Sequence, residues 1–228
     1  NKKRMVYIIG VCAIQIGFMY SFYLNAFSFI SVEKILLFTI FTPIYVTIIS
    51  DIFQKKIKKF FLFLSILSVI GSLIIRITDV QLLDFKGFIL IQGANFSFAL
   101  GQVLYKRYIK NNSKPDYNLN EFVYFYLGAI IIASLGSLIM IDSLSYPKST
   151  TQWLLVLWLG AIASGLGYYF WNRGSVLVNN GTLAVMNNLV IPLGLFIEIV
   201  FFSKLINITN YIIGALIILS SIYFSLRK

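Results

Sequence analysis

Eight long apolar stretches fill almost the whole of this chain of 228 residues. They cover residues 5–27, 32–52, 58–77, 86–107, 121–142, 152–174, 181–202 and 208–226. A hydrocarbon layer about 30 Å thick is crossed by roughly 20 apolar residues in a helix. With 59% hydrophobic and 12% charged residues, the chain has more apolar surface than a soluble domain of this size can bury. The sequence therefore predicts an all-α membrane protein, a polytopic bundle of eight transmembrane helices.

The first three stretches match the last three at a constant offset of 149 positions. The paired identities are Tyr20 and Tyr169, Pro43 and Pro192, Lys55 and Lys204, Leu67 and Leu216, and Ser72 and Ser221. Stretches four and five have no counterpart, so we expect two further helices upstream in an N-terminally truncated chain. The whole would hold ten helices in two repeats of five. Residues 1–78 would be the last three helices of the first repeat, and 79–228 the complete second repeat.

An odd number of helices in a repeat has a topological consequence. After five crossings the chain is on the opposite face of the membrane, so the second repeat must be inverted relative to the first. Inverted repeats are a common construction of secondary transporters, in which they allow alternating access. We therefore expect residues 17–77 to superpose on 166–226 about an axis in the membrane plane.

The net charge of +11 is distributed over alternate loops. One set of loops and ends carries Lys2, Lys3, Arg4, Lys55, Lys56, Lys58, Lys59, Lys106, Arg107, Lys110, Lys114, Arg173, Arg227 and Lys228, and the other carries Lys34, Arg76, Lys86, Lys148 and Lys204. By the positive-inside rule, the Asn1 side and the C-terminus are cytoplasmic in a multi-pass protein of the cell membrane. The basic residues are explained by topology and by contact with membrane lipids, and they predict no nucleic-acid partner.

One segment resembles a known family. Residues 164–174, Ser-Gly-Leu-Gly-Tyr-Tyr-Phe-Trp-Asn-Arg-Gly, are similar to the eighth helix of the drug/metabolite transporter (DMT) superfamily, EamA type. The turn at 179–181, Pro192 and Gly214 follow in the order of that family. The resemblance implies a ten-helix secondary transporter that exports a small metabolite such as an amino acid. One departure is that the Gly-Glu turns that often end helices four and nine are replaced by residues 53–55 and 202–204.

Amides on the fourth stretch are the clearest candidates for contact with a substrate. Gln92, Asn95 and Gln102 are spaced by three and seven residues, which places them on one helical face. Uncharged amides donate and accept hydrogen bonds, so they can hold a zwitterion or a polar head group. The alternative role is to bond neighbouring helices to each other.

The seventh stretch adds adjacent amides and a proline. Asn187 and Asn188 point about 100° apart in a helix, so we expect one of them to face a central cavity. Pro192 frees a backbone carbonyl near Asn188, and Pro43 has the same position in the first repeat. The two prolines are candidate hinges, or kinks that serve packing alone.

Aromatic pairs in the first and sixth stretches complete the predicted site. Tyr20 and Tyr23 share one helical face near Gln15, and Tyr168 and Trp171 share another near Ser164. Related by the repeat, the pairs would form an aromatic-walled cavity suited to rings or quaternary ammonium groups. The alternative for these rings is contact with lipid at the interface.

Glu198 is the best candidate for proton coupling, although a carboxylate at this depth also suits a side chain that reaches to the membrane surface. The chain has no His, and no motif for a metal, a cofactor or an enzyme reaction is visible. We therefore expect a monomeric secondary transporter of a small molecule, without enzymatic activity. The first interpretation is export of an amino acid. The alternatives are import of a choline-like amine or other polar metabolite, and a non-transporting membrane scaffold.

Overall fold

The computed structural model describes residues 2–76, 84–111, 119–139, 146–203 and 206–228. The described residues form eight helices. They are α1 (Lys2–Ala26), α2 (Val32–Gln54), α3 (Lys59–Arg76), α4 (Phe85–Asn111), α5 (Leu119–Ile139), α6 (Thr150–Leu177), α7 (Asn180–Phe202) and α8 (Ile208–Leu226). No strand occurs in these ranges.

Each helix lies on one predicted apolar stretch. Seven of the eight are long and apolar enough to cross a membrane, and α5 carries a shorter apolar section, Phe122–Leu138. The predicted all-α membrane bundle is confirmed. Several helices extend a few residues beyond the predicted spans. Helix α1 begins at Lys2 and α4 ends at Asn111, because the basic segments 2–4 and 106–110 continue the helix past the apolar residues.

Four of the helices are interrupted. The π-helical turns Ala13–Phe18 and Leu159–Leu166 widen α1 and α6, and the 3₁₀ turns Thr39–Phe41 and Asn187–Leu189 break α2 and α7. The second pair has a local cause, since a proline follows each turn and cannot donate a hydrogen bond to the carbonyl four residues before it. In α2, the carbonyl of Thr39 instead accepts from the backbone N–H of Thr42 and, at 2.8 Å, from the hydroxyl of the same residue.

The interrupted helices match each other at an offset of 148, one residue fewer than the offset read from the sequence. The matching segments are Val32–Phe38 and Asn180–Met186, Thr39–Phe41 and Asn187–Leu189, and Thr42–Gln54 and Val190–Phe202. Both helices are followed by a residue of left-handed backbone, Lys55 with φ of 50° and Ser203 with φ of 49°. The starts of α3 and α8 fit the predicted offset of 149. Lys204, predicted to match Lys55, lies outside the described residues.

Helices α3 and α8, predicted to be the last in each repeat, pack closely through two glycines. A Cβ atom added to Gly71 would lie 2.8 Å from the carbonyl oxygen of Gly214, and one added to Gly214 would clash with the carbonyl oxygen of Gly71. Small residues let membrane helices approach to backbone contact. The inverted relation of the repeats and their boundary at residue 78 stay predictions.

Candidate substrate-binding cavity

A cavity of ≈ 230 Å³ lies between α1, α2, α4, α6 and α7, beside the breaks in α2 and α7. Its lining residues are Met19, Tyr23, Leu36, Thr39, Thr42, Ala94, Asn95, Phe98, Tyr168, Asn187, Asn188, Val190 and Ile191. Cavities that hold drug-sized ligands measure about 300–1,000 Å³. This cavity therefore fits a small molecule, or a larger one after some widening.

Asn95 forms part of the polar wall and also joins two helices. Its Nδ2 donates to the carbonyl of Phe38 at 2.8 Å, and its Oδ1 accepts from the hydroxyl of Thr42 at 3.1 Å. Gln92 lies beside it, donating to the same carbonyl at 3.3 Å, but is not among the lining residues. Asn95 thus holds the break of α2 against α4 while one side of it borders the cavity.

Both Asn187 and Asn188 border the cavity, whereas the helical spacing predicted that one of them would. The difference arises because the chain is a 3₁₀ turn here and the cavity follows the break. Their amides still point to different neighbours. Asn187 exchanges hydrogen bonds of 3.1 and 3.4 Å with Gln102. Asn188 donates to the carbonyl of Ile40 at 3.0 Å and to the hydroxyl of Ser68 at 3.3 Å.

The aromatic wall is made by Tyr23, Phe98 and Tyr168. The Tyr168 ring meets Phe98 edge-on with centroids 5.9 Å apart, and it meets Tyr20 in the same way at 6.3 Å. Tyr20 lies behind this wall, where its hydroxyl and that of Ser164 are 2.9 Å apart. At the offset of 148, Tyr20 matches Tyr168 and Tyr23 matches Trp171.

Gln15 and Trp171 make their contacts away from the cavity. The Nε2 of Gln15 donates to Oδ1 of Asn172 at 3.0 Å, and both residues are fully buried. Trp171 packs against an apolar cluster formed by Val46, Ile49, Ala99, Val103, Leu183 and Ala184. We call this cluster, with Trp171, the apolar layer. The structure thus brings Tyr23, Asn95, Tyr168, Asn187 and Asn188 to the cavity lining. It does not bring Gln15, Tyr20, Gln92, Ser164 or Trp171 there.

Comparison with known proteins identifies the family to which this architecture belongs. A model of the EamA-like transporter family matches residues 85–227, more than half of the chain.

The chain belongs to the EamA-like transporter family.

Three relatives of this EamA-like transporter have been named for a substrate. A biotin transporter of Salmonella typhimurium is 36% identical over 224 residues, which cover 98% of this chain and 74% of the relative. A biotin transporter of Escherichia coli is 37% identical over 214 residues, covering 93% of this chain and 71% of the relative. A probable biotin transporter of Pseudomonas aeruginosa is 33% identical over 213 residues, covering 93% and 74%. The resemblance to EamA-type members of the DMT superfamily is confirmed.

The fold is also found in a solved crystal structure of another protein. It aligns with a TM-score of 0.77 at 16% identity, covering 97% of this chain and 77% of that one. At this identity the likeness shows the fold alone. With the family and the apolar helices, it makes this EamA-like transporter a multi-pass membrane protein of a transporter family.

The candidate hinges lie at the two breaks. Pro43 is the second residue after the 3₁₀ turn of α2, and Pro192 is the third residue after that of α7. Both are buried, and the carbonyl of Pro192 accepts a bond of 3.2 Å from the hydroxyl of Tyr211. Glu198 is half-buried on α7 and is not among the lining residues. The hinge roles and proton coupling at Glu198 stay predictions.

Several residues that line the cavity were not predicted from the sequence. Thr39 and Thr42 could have been found from the repeat, because Thr39 occupies the position of Asn187 and both hydroxyls precede Pro43. Met19, Leu36, Ala94, Phe98, Val190 and Ile191 carry no signal that separates a cavity wall from helix packing. Within the described ranges, no group of three His, Cys, Asp or Glu side chains could hold a metal ion. The cavity offers amides, hydroxyls and aromatic rings, which bind polar and cyclic groups without a fixed charge.

Proposed function

We propose that this EamA-like transporter carries biotin, or a closely related bicyclic carboxylic acid, across the membrane by alternating access. The observation that carries the proposal is the name shared by its relatives, two of them biotin transporters and one a probable biotin transporter, which align with at least 93% of this chain. The family and these names describe a transporter rather than an enzyme.

The chemistry of the cavity supports this substrate. Biotin has a ureido ring with two N–H donors and one carbonyl acceptor, fused to a sulfur-containing ring. The amides of Asn95, Asn187 and Asn188 can exchange donors and acceptors with a ureido group. The rings of Phe98 and Tyr168 provide an apolar face for the sulfur-containing ring.

Alternating access is supported by the position of the cavity between two helix breaks. The breaks stand at matching places in α2 and α7, and Asn188 in one joins Ile40 in the other. Between the cavity and the basic loops lie the apolar layer and the bond between Gln102 and Asn187. A substrate passes only if these contacts separate, and the breaks are where the backbone can bend.

Two other substrates remain candidates on specific observations. The neutral amides of the cavity also suit a zwitterion, which favours the predicted export of an amino acid. The aromatic wall of Tyr23, Phe98 and Tyr168 suits a choline-like cation. Transport without selectivity for any of these compounds would contradict all three candidates, and no transport at all would favour a scaffold.

The test is uptake of radiolabelled biotin into proteoliposomes that contain the purified protein. We expect saturable uptake that excess unlabelled biotin suppresses and that amino acids and choline leave unchanged. Phe98→Leu should reduce the uptake several-fold, because the ring borders the cavity. Phe96→Leu is the matched control, since Phe96 lies on the same helix with 47% of its surface exposed outside the cavity lining. Suppression by an amino acid or by choline instead would assign the protein to that substrate.

A further inference from the structure

A second cavity, of ≈ 380 Å³, opens on the side of the basic loops between α2, α4 and α7. Its lining residues are Ser50, Phe53, Gln54, Lys58, Val103, Lys106, Arg107, Lys110, Asn111, Asn179 and Asn180. Four of these side chains are cationic and, among the described residues that line it, none is acidic. We call this cavity the basic pocket.

Lys106 is the unusual member of the basic pocket, because only 2% of its surface is exposed. Its Nζ donates to the carbonyl of Val178 at 2.7 Å, and it makes no other hydrogen bond with the described part of the chain. An ammonium group carries three donors. Its charged neighbours are Lys58 and Lys110, which repel it. A buried cation without a counter-charge is unfavourable, and an anion in the pocket would remove that penalty.

The remaining polar groups of the basic pocket also favour an anion. The hydroxyl oxygen of Ser50 accepts hydrogen bonds from the side chains of Gln54, at 2.7 Å, and Asn180. Ser50 is 2% exposed and, within the described ranges, its own proton has no acceptor. A buried hydroxyl donor and four cations therefore line one cavity. Such a set of donors binds a carboxylate or a phosphate.

The basic pocket lies on the line of the central cavity. Along α4, Asn95 and Phe98 border the central cavity, Ala99 and Val103 belong to the apolar layer, and Lys106 borders the basic pocket. The same order holds on α2 and on α7. Phe98 and Lys106 are eight residues apart, or about 12 Å along the helix. A molecule that crosses the apolar layer therefore enters the basic pocket.

We propose that the basic pocket binds the carboxylate of the transported molecule on this side of the membrane, with Lys106 as its principal partner. The inference rests on the proposed function, because it requires a substrate that carries a carboxylate. An oxyanion could also come from the phosphate of an anionic lipid. The burial of Lys106 among α4 and the residues before α7 favours the soluble carboxylate, because a lipid head group would approach from the membrane surface.

The test compares the binding of biotin and of biotinamide, which lacks the charge, to the purified protein. We expect the wild type to bind biotin more tightly. Lys106→Gln should weaken biotin binding roughly tenfold, the effect of losing one charge-assisted hydrogen bond, and leave biotinamide binding unchanged. Lys110→Gln should also weaken the binding of biotin. Because Lys110 lies at the exposed rim of the pocket, this substitution does not require the protein to tolerate a change at a buried position. Lys56→Gln is the control, because Lys56 is exposed on the same side but outside the pocket.

Two results with biotin and biotinamide would overturn the proposal, and a test with valerate decides the case in which neither compound binds. An equal loss of biotin and biotinamide binding in Lys106→Gln and Lys110→Gln would show that the pocket does not recognise the carboxylate. If Lys106→Gln and Lys110→Gln lose bound phosphatidylglycerol but still bind biotin more tightly than biotinamide, the pocket binds lipid instead. If the wild type binds neither biotin nor biotinamide, the proposed function fails by itself. The pocket is then tested with valerate. If valerate stabilises the wild type but not Lys106→Gln, the proposed carboxylate site is supported. If valerate does not stabilise the wild type, the proposed site is rejected.

Discussion

The side-chain amide of Asn188 donates a hydrogen bond of 3.0 Å to the backbone carbonyl of Ile40, the residue 148 positions before it. This separation is the one at which the segments of α2 match those of α7. Asn188 therefore bonds the residue that occupies the matching place in α2. Both helices are broken at this point, and the carbonyl of a broken helix needs a partner when it is buried. The contact joins the two breaks beside the central cavity.

We expect Asn188→Ala to lower the free energy of unfolding by about 1–2 kcal/mol, because the buried carbonyl of Ile40 loses its donor. The measurement is denaturant or thermal unfolding of the purified protein in detergent. Asn25→Ala is the matched control, since within the described residues the side chain of Asn25 bonds only the carbonyl of Ser21 in its own helix, at 2.7 Å. Equal stability of the two variants would contradict a role for the contact between the breaks.

The close approach of α3 and α8 gives a second prediction. Gly214→Ala should destabilise the protein by about 1–3 kcal/mol, because the added methyl group meets the backbone of Gly71 and the two helices must separate. The readout is the melting temperature in detergent. Gly194→Ala provides the comparison, since a Cβ there has no atom of the described chain within 4 Å. A Gly214→Ala protein as stable as Gly194→Ala would mean that the two helices pack differently.

Asn95→Leu should reduce both stability and transport. The bonds to Phe38 and Thr42 explain both effects, because leucine would remove the amide that donates to the buried carbonyl of Phe38 and accepts from the hydroxyl of Thr42. We expect a loss of about 1–2 kcal/mol in unfolding experiments. Unchanged transport per folded molecule in proteoliposomes would reduce Asn95 to a link between helices.

The orientation in the membrane is open to a direct test by cysteine labelling. Lys56→Cys should resist a membrane-impermeant maleimide in intact cells and react after permeabilisation, because the positive-inside rule places its loop in the cytoplasm. Tyr146→Cys should react in intact cells, since Tyr146 is 72% exposed in a loop of the other set. The native Cys12 is fully buried and serves as the background. The reverse pattern of labelling would invert the predicted topology.

The sequence predicted the eight helices because the length of an apolar stretch reports the thickness of the membrane, whatever the neighbouring helices are. It also predicted the family, since the segment around Tyr168 and Trp171 and the order of the later motifs are local properties of the chain. The repeat was visible as well, although paired prolines indicated an offset of 149 where the segments of α2 and α7 match at 148. Proline is tolerated at several positions in the first turn of a helix, so it does not fix the register to one residue.

The composition of the cavity was decided by the tertiary structure. Spacing along a helix gives the face on which an amide lies, but the partner of that face depends on how the helices are arranged. Thus the residue type and helical position of Gln15 and Trp171 predicted contact with a substrate. In the structure, however, Gln15 bonds Asn172 and Trp171 packs in the apolar layer. From the sequence, Lys106 was assigned to the basic residues of a loop, like its neighbours. Only the packing of α4 against the chain before α7 buries it, because burial is a property of all the neighbours and not of the residue.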